Sequence, residues 1–353
     1  MISEPLLGKT RSMKRSRRGR WQIAIAGLLL CAVLLAFWQR QALARLAIVA
    51  AVEALAHERL SLERAQIGLS HALLQGVRIT SFRNEPVAEI ARLEVTYDLR
   101  DLLPGGHRQF GLETVDVESP HVTIIRRSDG TYNVPVPRLN NAAASAGTPL
   151  TARVRIRGGS IEVVDQSAYA LPVNRRLYAE DIDVDAGIAT QGRSTYAVTL
   201  EYGERADRLY AVTGRGVVDP AHGYDDQHWK AAQLPIAAAV NFAVNSPSLR
   251  LRSGVLQGVD ARYLGMSDGS GSAHLAASAF LRGCSVAVAG LSKPLTGVQG
   301  PIDVYDDGIL TPGLQARLAG VPAAITGGMY ELSNPQLRVT VRGSADLARL
   351  QTA

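Results

Sequence analysis

The sequence predicts a mainly β protein, with an N-terminal transmembrane helix followed by an elongated, curled β-sheet that leaves an open apolar groove. Three observations predict it. One uncharged apolar run stands near the N-terminus, a two-residue apolar/charged alternation fills most of the chain after residue 59, and glycine-marked turns interrupt that alternation.

The apolar run is Trp21 to Trp38, WQIAIAGLLLCAVLLAFW, whose interior is dominated by Leu28, Leu29, Leu30, Leu34 and Leu35. Eighteen residues of helix rise about 27 Å, close to a bilayer's hydrocarbon thickness. Trp21 and Trp38 stand where indoles sit at the two membrane interfaces. Seven basic residues precede the run, including Arg15, Arg17, Arg18 and Arg20, and only Arg40 and Arg45 follow closely. That bias puts the basic tail, residues 1–20, in the cytoplasm and everything beyond residue 38 on the far side. A buried core helix would carry a polar stripe, and this run has none. Cleavage after Ala42-Leu43-Ala44 is the competing reading, but the apolar core is longer than that of an ordinary signal. A lipoprotein signal fails because Cys31 follows three leucines. A signal anchor over 21–38 is therefore expected.

Charge sharpens this topology. The net charge is +6, and the first twenty residues carry seven bases against Glu4, which is also +6. The rest of the chain is neutral in sum, so the basic balance belongs to the tail and does not indicate a nucleic-acid partner. The two cysteines, Cys31 in the span and Cys284 far downstream, offer no internal disulfide.

Residues 39–58 read as a juxtamembrane helix rich in alanine and leucine, too charged at Arg45, Glu53 and Glu58 to be a second span. From residue 59 to 353 the period is two. Leu93, Val95, Tyr97 and Leu99 alternate with Arg92, Glu94, Thr96 and Asp98. Val154 and Ile156 alternate with Arg153, Arg155 and Arg157, and Ile182 and Val184 with Asp181, Asp183 and Asp185. Tyr196, Val198, Leu200 and Tyr202 continue the pattern. Such strands have one apolar and one charged face. Turns are expected at Pro104-Gly105-Gly106, Asp129-Gly130, Gly158-Gly159, Asp307-Gly308 and Gly327-Gly328, a loop at 140–149, and a short helix within His228–Val240. The runs at 254–265 and 308–320 share glycine and Ala-Arg spacing and point to a repeating, stacked β architecture.

Motifs for catalysis or metal binding are weak. The seven histidines are scattered without paired metal spacing. The calcium-loop start at Asp181, Asp183 and Asp185 fails where Gly and Glu are needed, at Ala186 and Gly192. Asp225, Asp226 and His228 beside Trp229 read as a solvated turn. No cofactor and no enzymatic activity are expected.

A long sheet with one apolar face must have that face covered. Either it closes on itself as a sandwich or barrel, giving a structural scaffold that tethers envelope partners, or it remains a trough lined by Leu93, Val95, Val154, Ile156, Ile182, Val184, Val198 and Leu200. Each exposed CH₂ of an acyl chain costs about 0.8 kcal/mol in water, so such a trough suits lipid tails.

Two stretches carry a family resemblance: AEIARLEVTYDLRDLLPG with FGLETVDVESPHVTIIRRSDGTYNV at 88–134, and GPIDVYDDGILTPGLQARLAGVPAAITGGMYELSNPQLRVTVRGSADLARL at 300–350. With the anchor ahead of them, they resemble the AsmA-like superfamily, in particular its TamB branch, the inner-membrane subunit of the translocation and assembly module. The resemblance implies a single-pass protein of the bacterial inner membrane with its bulk in the periplasm. It implies phospholipid, the inner membrane and an outer-membrane β-barrel assembly partner as contacts. It implies lipid transport or outer-membrane protein assembly as the role. TamB-type chains are longer, so a piece of a larger protein is also expected.

Overall fold

The computed structural model describes residues 59–343 except 82, 103–110, 135–150, 168–174, 190–191, 220–221, 245–247, 267–272, 307 and 332–335. The expected tail at 1–20, anchor at 21–38, juxtamembrane helix at 39–58 and loop at 140–149 lie outside the described residues. Among the described residues no helix is long and apolar enough to cross a membrane.

Among the described residues sixteen strands form one sheet. They are β1 (Arg59–Ser61), β2 (Arg64–Ile67), β3 (His71–Thr80), β4 (Pro86–Tyr97), β5 (Leu112–Arg126) and β6 (Thr151–Asp165). Then come β7 (Arg176–Ala189), β8 (Ser194–Arg205), β9 (Arg208–Asp219), β10 (Tyr224–Pro235) and β11 (Leu249–Met266). The last are β12 (Ala273–Val288), β13 (Leu295–Tyr305), β14 (Gly308–Leu318), β15 (Val321–Tyr330) and β16 (Gln336–Gly343). A helix, α1, occupies Ala237–Val244. Strand order follows chain order, with β1 and β2 both pairing β3. The sheet is curled and open, with β16 at its far edge and, among the described residues, no pairing back onto the first strands. Among the described residues the sheet does not close into the sandwich or barrel of the alternative reading.

Neighbours pair antiparallel at every step but one: β5 and β6 are parallel. Parallel strands need a crossover connection. It begins with a tight hairpin at Asp129-Gly130, where Gly130 adopts φ 82° and Asp129 Oδ1 accepts from Thr131 N at 2.9 Å. Asn133 then locks the hairpin to the sheet. Its Nδ2 donates to the carbonyls of Pro86 and Thr123, at 2.7 and 2.8 Å, and its Oδ1 accepts from Ile125 N at 2.6 Å. At 3% exposure, Asn133 satisfies backbone groups that would otherwise be buried unpaired.

A belt of left-handed residues crosses the strands midway: Gly76 on β3, Ser119 on β5, Gly158 on β6, Asp181 on β7, Gly258 on β11, Gly283 on β12 and Gly297 on β13. Most coincide with register shifts, the mark of β-bulges, which bend strands and strengthen twist. Gly158-Gly159 is thus not a turn but a bulge inside β6, and Gly327-Gly328 likewise lies inside β15, with Gly327 at φ 134°. Asp225, Asp226 and His228 lie not in a turn but in β10, hydrogen-bonded on both sides. The expected helix starts later than His228, because β10 runs to Pro235 and alanine-rich 237–239 follows. The two glycine-marked runs sit differently: 254–265 lies inside β11, while 308–320 opens β14 and ends in its turn.

On the far side of the belt the apolar face is packed. Leu251, Leu281, Cys284, Val298, Ala316 and Ile325 form a core with Ala237 of α1. Leu60, Leu62 and Val77 form a second core under the first strands. Burial pushes the Cys284 thiol up to about 11, which makes it unreactive at neutral pH.

Candidate functional site

Residues directly opposite each other in a ladder share a face. Followed from strand to strand, one row reads Leu74, Leu93, Val117, Ile156, Val184, Val198, Gly214, Trp229, Ala261, Ala277, Val304, Ile309. It crosses twelve strands, β3 to β14, without a polar side chain. At about 4.8 Å per strand the eleven steps span about 53 Å. The adjacent row reads Ala72, Val95, Val115, Val154, Ala186, Tyr196, Gly216, Gln227, Tyr263, Leu275. A third piece, Leu200, Val212, Ala231, Val259, continues the surface.

The sequence-predicted lining residues fall into this pattern. Leu93, Ile156, Val184 and Val198 share the first row, Val95 and Val154 the second, and Leu200 the third. All seven are half-buried. Ile182 differs. At 9% exposure it packs beside Gly159, whose added Cβ would meet Ile182 Cβ and Ile156 Cγ2 at 3.3 Å, and it stands outside the three rows. The anchor residues Trp21, Leu28, Leu29, Leu30, Leu34, Leu35 and Trp38, and the topogenic Arg15, Arg17, Arg18 and Arg20, are outside the described residues.

Two aromatic rings lie flat on the floor of these rows. A Cβ at Gly214 would come within 2.5 Å of the Trp229 ring, and one at Gly216 within 2.5 Å of Tyr196. Glycine here permits the close approach, and the rings cover backbone that glycine leaves bare. Tyr196 and Trp229 are 6.4 Å apart between centroids.

The opposite face is charged and mutually paired. Arg153 binds Asp185 through two bonds of 2.9 and 2.5 Å, and Arg262 binds Asp226 through two of 3.0 and 2.9 Å. Arg155 faces Asp116 at 3.6 Å, and Lys230 and His228 both reach Asp260. The three aspartates of β7 lie exposed, with Asp183 accepting from Gly158 N at 2.9 Å. Among the described residues no group of His, Cys, Asp and Glu is arranged to hold a metal ion. An open depression on this face lies between Arg153, Asp185 and Arg193, and its arginines are already engaged, Arg153 with Asp185 and Arg193 with Asp219.

Polar groups do reach the apolar face at one end of the central strands, where they hold α1. Glu204 continues the even-numbered series of β8 and accepts from Ala238 N at 2.5 Å. Burial raises the Glu204 carboxyl, opposed by the Ala238 and Ala237 N–H groups. At the other end of the helix, Arg126 of β5 donates to Phe242 O and stacks 4.1 Å over the Phe242 ring. Arg126 is also paired with Asp165 of β6 at 3.0 and 2.5 Å, with both side chains about 95% buried (5% and 6% exposed). An acid at the N-terminus and a base at the C-terminus complement the helix dipole. Asn241 joins α1 to β11 by exchanging two hydrogen bonds with the Leu251 backbone.

These contacts measure the curl. Strands β5 and β11 are six steps apart, about 29 Å on a flat sheet. Yet Phe242 touches the first and its neighbour Asn241 the second. The apolar face is therefore the inside of the curl at this end, with α1 filling it. Sequence inspection missed α1's clamp, although the parity of Glu204 with Tyr196, Val198, Leu200 and Tyr202 was a signal for it.

Compared with protein-family models, curated proteins and solved structures, the chain matches none.

Proposed function

We propose that the apolar face is a groove for lipid acyl chains. In this reading the protein is anchored in a bacterial inner membrane by residues 21–38, with its N-terminus in the cytoplasm and its sheet in the periplasm. It carries phospholipid toward the outer membrane and has no enzymatic step. Assistance to outer-membrane β-barrel assembly is the further role that the family resemblance implies. The observation that supports the reading best is the unbroken apolar row across twelve strands, most of it half-buried, on the face that forms the inside of the curl where α1 sits. Leaving so much apolar surface uncovered is unfavourable in water. Acyl chains laid along the row would remove that cost while headgroups stayed at the strand ends, in solvent.

The test is lipid retention by the full chain, purified in mild detergent and passed through gel filtration. Mass spectrometry is expected to find phospholipid bound. Val198→Asp puts a carboxylate in the middle of the row, and on an open sheet it should fold with an unchanged circular dichroism spectrum but lose the lipid. A wild-type protein that stays lipid-free, even after incubation with phospholipid vesicles, would overturn the reading.

A further inference from the structure

The groove reading leaves open which lipids are taken, and β10 bears on this. Its side chains alternate between the two faces, so Asp225, Gln227 and Trp229 all belong to the apolar side, while Asp226 and His228 turn to Arg262 and Asp260 on the charged side. β10 begins at Tyr224, which puts Asp225 at the rim and Trp229 farther down the strand. A carboxylate on an apolar face normally needs a partner. Asp225 has half of one. Gln227 Nε2 donates to Asp225 Oδ2 at 2.9 Å, and Trp229 Nε1 donates to Gln227 Oε1 at 3.3 Å. Asp225 Oδ1 is shielded from solvent and receives no donor from the described residues. Nor does any basic side chain among them form an ion pair with it.

Aromatic rings flank this oxygen's strand on both sides. Gly265 lies directly across from Asp225 on β11, and the Tyr263 hydroxyl leans over it, 2.9 Å from where a Cβ would stand. On the other side Tyr196 lies over Gly216. Burial raises the Tyr196 phenol, and the Asp225 charge raises it further. A carboxylate oxygen that lacks a donor, on a strand with a tyrosine over the neighbouring strand on each side, is chemistry for an organic cation: an ammonium gains a charge-assisted hydrogen bond, with aromatic rings near by.

We propose that Asp225, flanked by Tyr196 and Tyr263, binds the protonated amine of an aminophospholipid headgroup at the rim of the groove. This rests on the groove reading, since the acyl chains of the same lipid would run inward past Trp229. Anionic lipids without an amine gain nothing at this position and meet a like charge.

The test uses the full-length protein, stripped of lipid by detergent exchange and incubated with vesicles of equimolar phosphatidylethanolamine and phosphatidylglycerol. The protein is re-isolated and its lipids are quantified by mass spectrometry. Wild type is expected to favour phosphatidylethanolamine by about fivefold or more. Asp225→Asn should bring the ratio to about one with total lipid unchanged. Replacing phosphatidylethanolamine by its N-acetylated form, which has no charged amine, should do the same with wild-type protein and no mutation. Added glycerophosphoethanolamine at millimolar concentration should lower the preference without releasing the chains. Equal retention by wild type, or a preference that survives both Asp225→Asn and N-acetylation, overturns the amine site and leaves the groove intact. Loss of all lipid binding in wild type overturns both.

Discussion

Arg126 shows how one residue can hold an element. Its guanidinium binds the Asp165 carboxylate, the Phe242 carbonyl in the last turn of α1 and the face of the Phe242 ring at once. Removing one member of a buried ion pair strands the other, at a cost of about 3–5 kcal/mol. Arg126→Ala is expected to lower unfolding stability by that order, read from the denaturant midpoint at constant slope. Asp165 adds a pH dependence. Burial raises its carboxyl, but bonds from Arg126 and Ser167 outweigh burial and hold it below the ordinary aspartate range. A depressed acid stabilises the fold above its unfolded value, about 3.9, and that contribution is lost as pH falls through the folded value. Wild type should therefore lose stability below about pH 4 more steeply than Asp165→Asn. Neither role was legible by simple alternation. Val115 and Val117 place odd residues of β5 on the apolar face, yet Arg126 is even. The left-handed Ser119 switches the parity, so that Val122, Ile124 and Arg126 take over.

At the scale of elements, that parity switch recurs. It occurs at Gly76 between Leu74 and Val77, at Gly158 between Ile156 and Ile161, and at Asp181 between Val184 and Ala179. The slips are visible in the sequence as breaks in a two-residue period, but a break reads equally well as a turn, as at Gly158-Gly159. Hydrogen-bond partners on both sides decide for a bulge. Gly258 isolates the backbone cost, since its φ is 63° and a Cβ there would meet nothing within 4 Å. Gly258→Ala should destabilise by about 1–2 kcal/mol through conformation alone, measured by thermal or denaturant unfolding. The helix α1 offers a second test. Glu204 has a raised folded pKa, so between the ordinary glutamate range and that value the folded state binds more protons. Stability contributed by Glu204 is present at low pH and declines as pH rises through this window. The stability difference between wild type and Glu204→Gln should shift in favour of the variant over the same interval. A difference that stayed flat with pH would mean that Glu204 is not buried against α1.

At the scale of the whole molecule, strand order equal to chain order makes an elongated object rather than a layered one. Each strand adds its own apolar positions to a surface that lengthens by about 4.8 Å per step. On the proposed function the N-terminal span matters only for delivery. A variant lacking residues 1–38 should still bind phospholipid in solution, because the rows begin at β3. It should not restore envelope lipid transport in cells, where the groove must start at the donor membrane. Restoration by that variant, at normal levels of protein, would argue against a role for the anchor.

The sequence by itself determined the β class and the two faces, and it put Leu93, Val95, Val154, Ile156, Val184, Val198 and Leu200 on the apolar one, because side-chain direction in a strand is a local property with period two. It also marked the Asp129-Gly130 hairpin, since turn chemistry is local as well. Tertiary structure alone decided that Leu93, Ile156, Val184, Val198 and Trp229 form one line, because register is set between strands far apart in sequence. It decided that Ile182 is packed away, that β5 and β11 meet at α1, and that Asp225 turns to the apolar face while Asp226 does not. These outcomes depend on where each strand bends and what lies beside it, and a two-residue period carries no information about either.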